Sequence, residues 1–349
     1  MLARFIRHAV VIAIAFLLGA CSRQDPAVRE QQFIAFGTLI SVTLYDVDDT
    51  RASRAFTELE QLFNQMHRDW HAWEPGPLVD LNRALATQGT AEVPPAILPL
   101  LEPAQRLSRA SNGLFDPAIG RLLALWGFHS EDPPQRPPAP DAIAAQVAKH
   151  ASMADLQLEG TRLHTDNRAV QLDFGGFAKG YAAEYGAEYL RALGIDNAIV
   201  AVAGDIHVIG AHGERPWRVG IRHPRAPGVL AATELRDGES ISTSGDYERY
   251  FEYEKHRYHH LLDPRAGYPA EGVTSVTVIA RDGASADAAA SALFIAGPNE
   301  WTRAARAMGI EQVMLVDAQG VVHMTPAMAE RLHIEAEPAP EVRIEALPR

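Results

Sequence analysis

One cysteine, Cys21, stands in 349 residues. That excludes an internal disulfide framework. Basic blocks are missing as well: 32 Lys and Arg face 44 Asp and Glu, a formal net charge of −12. Nucleic acid is therefore not an expected partner. No long hydrophobic run is present, and the apolar stretch from Ala9 to Leu18 is too short for a comfortable membrane-spanning helix. Internal repeats are absent, which removes solenoids and propellers. The glycine-rich segment LDFGGFAKG fits neither G-x-G-x-x-G nor G-x-x-x-x-G-K-[ST], so the two standard nucleotide loops do not apply. His259 and His260 lack a third ligand at zinc-site spacing. What remains is a chain with 47% hydrophobic residues and charges of mixed sign, enough for a sizeable buried core.

The first residues form a separate object. Arg4 and Arg7 precede the apolar run, and Gly19-Ala20-Cys21 follows it. A basic start, a short apolar middle and small residues at the cut read as an export signal over residues 1–20. Leu18-Gly19-Ala20-Cys21 resembles a bacterial lipobox, which makes Cys21 the expected lipid-bearing residue. Several acyl chains on one cysteine suffice for stable anchoring. Ser22, in place of an aspartate, favours the outer over the inner membrane. The expected address is the periplasmic side of the envelope, with residues 21–32 as a tether.

Beyond the tether, 33–335 reads as one domain. FIAFGTLISVTLYDV alternates like a strand or hairpin. Residues 51–69 and 96–110 carry helical spacing, and Asp141 reads as the N-cap of a helix. YAAEYGAEYLRALG is a helix closed by Gly194. Strands dominate 198–280, two helices follow, and EQVMLVDAQGVVHMT closes as a hairpin. The Glu- and Pro-rich residues 336–349 read as a disordered tail. Long antiparallel segments mixed with helices predict an α+β fold with packed helices.

Three segments carry groups suited to chemistry. In LDFGGFAKGYAAE, two glycines sit where an apolar segment turns into a helix. They admit a bulky anion to the backbone and the helix start. Lys179 adds positive charge and Asp173 an acceptor; a tight turn with a solvated lysine is the plainer alternative. In SADAAASALFIAG, Asp287 and Ser291 are four residues apart and share one helix face. That hard oxygen pair suits Mg²⁺, although an Asp near a helix start also serves the helix dipole. In ISTSGDYERYFEYEKHRYHHLLDPRAGYP, Ser242–Gly245 reads as a polar turn. His259 and His260 end a β segment on opposite faces, so one of them is able to enter a site as a general base.

Together these segments resemble the ApbE family of flavin transferases. The resemblance rests on FGT, NGLFDP, LWGF, LDFGGFAKGYAAE, AGDIHVIG, STSGDYERYF, HHLLDPRAGYP and ADAAASALFIAG, in this order over residues 33–325. It implies a T-fold-like architecture and transfer of FMN from FAD to a threonine hydroxyl of an acceptor flavoprotein, with AMP released. It also implies flavin contacts at Phe36, Trp73, Leu114, Phe115, Asp116, Asp173, Lys179 and Leu261. Mg²⁺ would be held by the Gly176 carbonyl, Asp287 and Ser291, with His260 and Lys179 in catalysis. Acceptors would be flavoproteins of exported respiratory complexes. A metal-dependent FAD pyrophosphatase and a non-catalytic flavin-binding lipoprotein use the same groups and stay open. Three positions depart from the family pattern: Phe36 stands for Met, Ser291 for Thr and Ala203 for Gly. If the first residue of the Ala203-Gly204 turn needs a positive φ, Ala203 is strained by about 1 kcal/mol.

Overall fold

A computed structural model describes residues 27–130 and 134–348. The signal, the lipobox with Cys21 and the first half of the expected tether lie outside the described residues. Strands β1 (Val28–Ala35) and β2 (Thr38–Tyr45) form the first hairpin. Then come α1 (Asp49–Trp70), α2 (Pro77–Gln88), β3 (Thr90–Glu92), α3 (Leu98–Ala110), α4 (Gly120–Trp126) and α5 (Pro140–Val147). The small hairpin β4 (Gln157–Glu159) and β5 (Arg162–His164) leads to α6 (Ala178–Ala192). Strands follow: β6 (Ala198–Val202), β7 (Asp205–Ile209), β8 (Trp217–Arg222), β9 (Val229–Leu235), β10 (Glu239–Gly245), β11 (Tyr250–Tyr253), β12 (His256–His259) and β13 (Val273–Ala280). The chain ends with α7 (Gly283–Ala296), α8 (Trp301–Met308), β14 (Gln312–Asp317), β15 (Val322–Met324), α9 (Pro326–Ala329), β16 (His333–Ile334) and β17 (Val342–Ile344).

The organising layer is a nine-stranded sheet in the order β1-β2-β6-β7-β10-β13-β14-β15-β17. Its neighbours are antiparallel except β15 and β17, which run parallel. This is the α+β arrangement the sequence predicts. Helices α6 and α7 lie on the sheet, against β6, β7, β10 and β13. The other face is covered by the ribbon of β8 and β9, whose Trp217, Ile221, Leu230 and Leu235 pack on Ile241 and Met314.

Helix α7 is built to sit in the middle. Every residue in it except Ser285 is buried, and half are alanine. A helix apolar all round belongs in an interior, and alanine lets neighbours come close. Its closest neighbour is α6. A Cβ added to Gly180 would lie 2.2 Å from the Gly283 carbonyl oxygen and 2.8 Å from Asp287 Cβ. The crossing therefore exists only because position 180 has no side chain.

At this crossing the two helices complete each other. Neither Phe177 nor the rest of the α6 entry supplies a side-chain cap. The Gly180 N–H instead donates to Asp287 Oδ2 at 3.0 Å. In return the Gly283 N–H donates to Glu184 Oε2 at 2.7 Å. Helix starts leave N–H groups without partners in their own helix, and here each helix lends a carboxylate to the other.

Several sequence expectations shift. Helix α2 was not evident in the sequence, because Pro77 at its start hides a regular apolar spacing of Leu78, Leu81 and Leu85. Asp141 is not an N-cap: Pro140 opens α5 and Ala139 caps it without a side-chain bond. Ser242–Gly245 is the end of strand β10, not a turn. The domain also reaches beyond both expected ends. β1 starts at Val28, inside the expected tether. The expected disordered tail holds β17, which pairs Val342, Arg343 and Ile344 with Val322, His323 and Met324. It is held by His323, whose ring meets Glu345 at 2.5 Å and Asp317 at 3.0 Å. Composition alone does not register such a pairing.

Candidate active site

Lys179 is the hub. It leaves α6 one residue before the glycine crossing, so its ammonium emerges beside Asp287. Lys179 Nζ lies 2.5 Å from Asp205 Oδ2 and 3.5 Å from Asp287 Oδ2. Asp205 and Asp287 are only 2% and 3% exposed. Burial alone would lower the lysine, but the two carboxylates outweigh it and raise it above its ordinary range. Asp287 is raised by burial first and by the nearby charge of Asp205 second. Two buried carboxylates thus share one ammonium.

Asp205 is the functional residue that the sequence reading missed. It begins β7 directly after the two-residue Ala203-Gly204 turn. Its signal was in view, an acid fixed behind a tight turn in AGDIHVIG, yet it only gained meaning once Lys179 was placed. Ala203 has φ +55°. The strained conformation anticipated for this position is present, and the turn holds Asp205 in register opposite Val202.

Ser291 lies one turn along α7 from Asp287, as the spacing requires. Its Oγ is 3.0 Å from Ser244 Oγ on β10. The hydroxyls of Ser291 and Ser244 therefore meet between α7 and the sheet, one helical turn from Asp287. Gly176 sits at the entry of α6, one turn ahead of Gly180, with Phe115 packed above it: a Cβ there would be 3.2 Å from Phe115 Cε2.

The expected flavin contacts divide into three groups. Trp73 and Asp173 are brought together by a 2.9 Å bond from Trp73 Nε1 to Asp173 Oδ2. Asp173 Oδ1 also accepts the Gly175 N–H at 2.8 Å, shaping the glycine turn. Phe36 heads an aromatic group. It stacks on Trp70 at 6.0 Å and meets His67 edge-on, while Trp70 meets Tyr181 of α6 edge-on. Phe36 and Gly37 both have positive φ, as a two-residue hairpin turn demands. Leu114, Phe115 and Leu261 are buried in the cluster that also contains Phe177 and Phe294.

Asp116 is a different matter. Its carboxylate accepts from Ser108 Oγ, Ser152 Oγ and the Ala118 and Met153 N–H groups. Burial raises it, opposed by those bonds. The side chain thereby ties the loop that follows Leu114 and Phe115 to Ser108 and to the Ser152–Met153 segment.

The two histidines part as the strand alternation requires. His259 turns inward, donates from Nε2 to the Ala270 carbonyl at 2.9 Å, and meets Phe294 edge-on. His260 stays half-buried. Its Nδ1 faces the Arg249 carbonyl at 3.3 Å, and its backbone N–H donates to the same oxygen at 3.1 Å. A carbonyl only accepts, so the proton sits on Nδ1 and Nε2 keeps its lone pair. Burial first, then the positive charge of Arg249, pushes His260 down to about 3. It is therefore neutral at physiological pH. Lys179 also contributes to that depression.

The arrangement offers a neutral imidazole, an ammonium, two carboxylates, two hydroxyls and a ring of aromatics around the start of a helix. The comparisons with known proteins point the same way. The ApbE family profile matches residues 36–314. An FAD:protein FMN transferase of Rhodobacter capsulatus is 44% identical over 307 residues, 88% of this chain and 58% of that protein. The chain thus spans little more than half of that relative's length. One from Klebsiella pneumoniae (strain 342) is 31% identical over 81% of this chain and 87% of its own. Among solved structures, the ApbE protein of Thermotoga maritima MSB8 aligns with TM-score 0.80 and 29% identity, covering 87% of this chain and 99% of its own. The apo flavinyl transferase ApbE of Pseudomonas stutzeri aligns with TM-score 0.77 and 30% identity, covering 88% and 98%.

Proposed function

The chain belongs to the ApbE family, and on that premise we propose that it transfers FMN from FAD to a threonine hydroxyl of an acceptor flavoprotein and releases AMP. The observation that carries this reading is the sharing of Lys179 by Asp205 and Asp287 at the start of α6, beside the neutral His260.

The acceptor hydroxyl attacks the FMN phosphorus. A new P–O bond forms, the bond to the bridging oxygen breaks, and AMP departs with that oxygen. His260 Nε2 takes the hydroxyl proton. Lys179 faces the charge that builds on the phosphate oxygens, and Asp205 keeps its ammonium in place. Positioning and electrostatics supply most of the barrier lowering in phosphoryl transfers. The aromatics around Phe36, with Trp73 and Asp173, would hold the flavin.

A magnesium ion belongs to the same reading. The donor set fits it: hard oxygens only, with two buried carboxylates balanced by a single ammonium, so negative charge is left over. Asp287, Ser291 and the Gly176 carbonyl would hold it. When bound, such an ion draws charge off the diphosphate. Ser in place of the family's Thr keeps the oxygen and frees its χ1.

Export, anchoring through Cys21 at the periplasmic face, and acceptors among exported respiratory flavoproteins complete the proposal. The basic, apolar and small-residue order of 1–21 supports the first two.

The test is incubation with FAD, Mg²⁺ and a threonine-bearing acceptor flavoprotein, read by AMP release and by intact mass of the acceptor. Covalent FMN on the acceptor is expected. AMP and free FMN without acceptor labelling would make the protein a pyrophosphatase, and flavin binding without AMP would make it a carrier. Asp287→Ala should abolish AMP release and leave most flavin binding.

A further inference from the structure

Arg222, Arg225, Arg249 and Arg257 stand in or beside β8, β11 and β12, and three of them are accounted for. Arg225 grips Asp246 with two bonds of 2.7 and 2.5 Å. Arg257 lies 4.0 Å over the Tyr250 ring and 3.8 Å from Asp246. Arg222 lies 5.1 Å over Tyr247. Arg249 differs: among the described residues its guanidinium meets no carboxylate and no ring, and its one bond is a long 3.4 Å contact to the Phe128 carbonyl.

Its location is specific. One side of the guanidinium abuts the Phe36-Gly37 turn, since a Cβ on Gly37 would be 4.0 Å from Arg249 Nη2. The other side reaches Phe128, whose neighbour His129 lies tilted against Trp73, 4.7 Å between ring centres. The main-chain carbonyl of the same residue holds both the ring and the N–H of His260. Arg249 is thus a cation standing between the aromatic group and the imidazole. His260 feels the charge of Arg249 as well as that of Lys179, but among the described residues only Lys179 is matched by carboxylates.

We propose that Arg249 is a binding residue for the diphosphate of the dinucleotide, gripping phosphate oxygens from the side opposite Lys179. The proposal rests on the flavin-transfer reading above. A planar fork of N–H donors suits two phosphate oxygens, and bonds of this kind are the strong ones. No role in proton transfer is assigned to it, because a guanidinium stays charged.

The design of the test follows from how Arg249 is used. His260 hangs on its main chain, so a side-chain change leaves that contact intact. Arg249→Gln and Arg249→Lys are compared with the unaltered protein for binding of FAD, ADP and riboflavin by calorimetry, without metal, and for KM towards FAD and towards the acceptor. FAD and ADP affinities should fall about tenfold or more in Arg249→Gln, the loss of one charge-assisted grip. Riboflavin, which has no phosphate, should bind unchanged, and Arg249→Lys should fall between. Equal FAD affinity in Arg249→Gln overturns the proposal. If the acceptor KM alone rises, Arg249 is instead a docking point for an acidic acceptor segment. Should riboflavin weaken as much as FAD, the residue is structural, and the proposal again fails. An unaltered protein that ignores FAD would overturn the flavin-transfer reading along with it, whereas FAD binding that is indifferent to Arg249 leaves that reading standing.

Discussion

Replacing Gly180 with alanine sets two well-understood effects against each other. On helix propensity alone the change favours α6 by about 1 kcal/mol. The crossing argues the reverse. The new Cβ would sit 2.2 Å from the Gly283 carbonyl oxygen, 2.9 Å from its carbon and 2.8 Å from Asp287 Cβ. Two of the three obstacles are backbone, which cannot swing aside like a side chain. Restoring ordinary contact requires α6 and α7 to part by about 1 Å, given carbon contacts near 3.5 Å. Overpacking of this kind costs about 1–3 kcal/mol, and the parting also stretches the Gly180 N–H bond to Asp287, worth about 1.5 kcal/mol as a bond to a charged group. The net expectation is a loss of about 1–3 kcal/mol. Urea denaturation of the variant against the unaltered protein measures it. Activity should suffer more than stability, because a 1 Å displacement of reacting groups costs about a hundredfold in rate. A variant as stable as its parent, or more stable, and equally active would refute the account of the crossing and of Asp287's place in the site.

Other perturbations separate further parts of the reasoning. Asp205→Asn leaves Lys179 with Asp287 as its only carboxylate; turnover should fall about a hundredfold, as for a displaced catalytic group, while circular dichroism stays native, and normal turnover would remove Asp205 from the site. Ala203→Gly relieves the +55° φ of about 1 kcal/mol in strain, but glycine returns about 0.4–1 kcal/mol as unfolded-chain entropy; urea midpoints should rise slightly or stay put, and a clear fall would contradict the strain. His207 is buried and pushed down to about 4 by burial first, so its contribution is full above the ordinary histidine pKa and is lost as pH falls from about 6.5 towards 4; by linkage the loss is about 3 kcal/mol, and His207→Gln should flatten the acid side of the stability profile. His323 is raised: burial lowers it, but its bonds to Glu345 and Asp317 outweigh that. Its support for β17 is complete below the ordinary histidine pKa and fades as pH rises through its higher folded value. Amide exchange at Val342–Ile344, corrected for intrinsic rate, should therefore quicken in alkaline buffer, and Glu345→Gln should remove that dependence.

The site was more legible than the frame around it. Spacing put Asp287 and Ser291 on one helix face, strand alternation split His259 from His260, and the glycines of 175–180 announced a close approach. What the glycines approach was less clear. Gly180 meets another helix, and the N–H expected to greet a ligand is occupied by Asp287. Asp205 escaped because its partner, Lys179, is 26 residues away in sequence, and no periodicity links them. Asp116 shows what a motif leaves unseen: its carboxylate accepts from serines and backbone N–H groups. The edge strand β17 was hidden because its pairing is decided by His323 and the hydrogen-bonding edge of β15, while local composition there favours disorder.

The exchange of carboxylates between α6 and α7 has a bearing on how the protein comes into being. Neither first turn is complete until the other helix arrives, and the two contributing segments are 107 and 99 residues apart along the chain. Docking of the two helices, completion of their first turns and the placing of Lys179 beside Asp287 therefore depend on the same contacts. A change that parts the two helices thus disturbs both helix starts and the Lys179–Asp287 pair together.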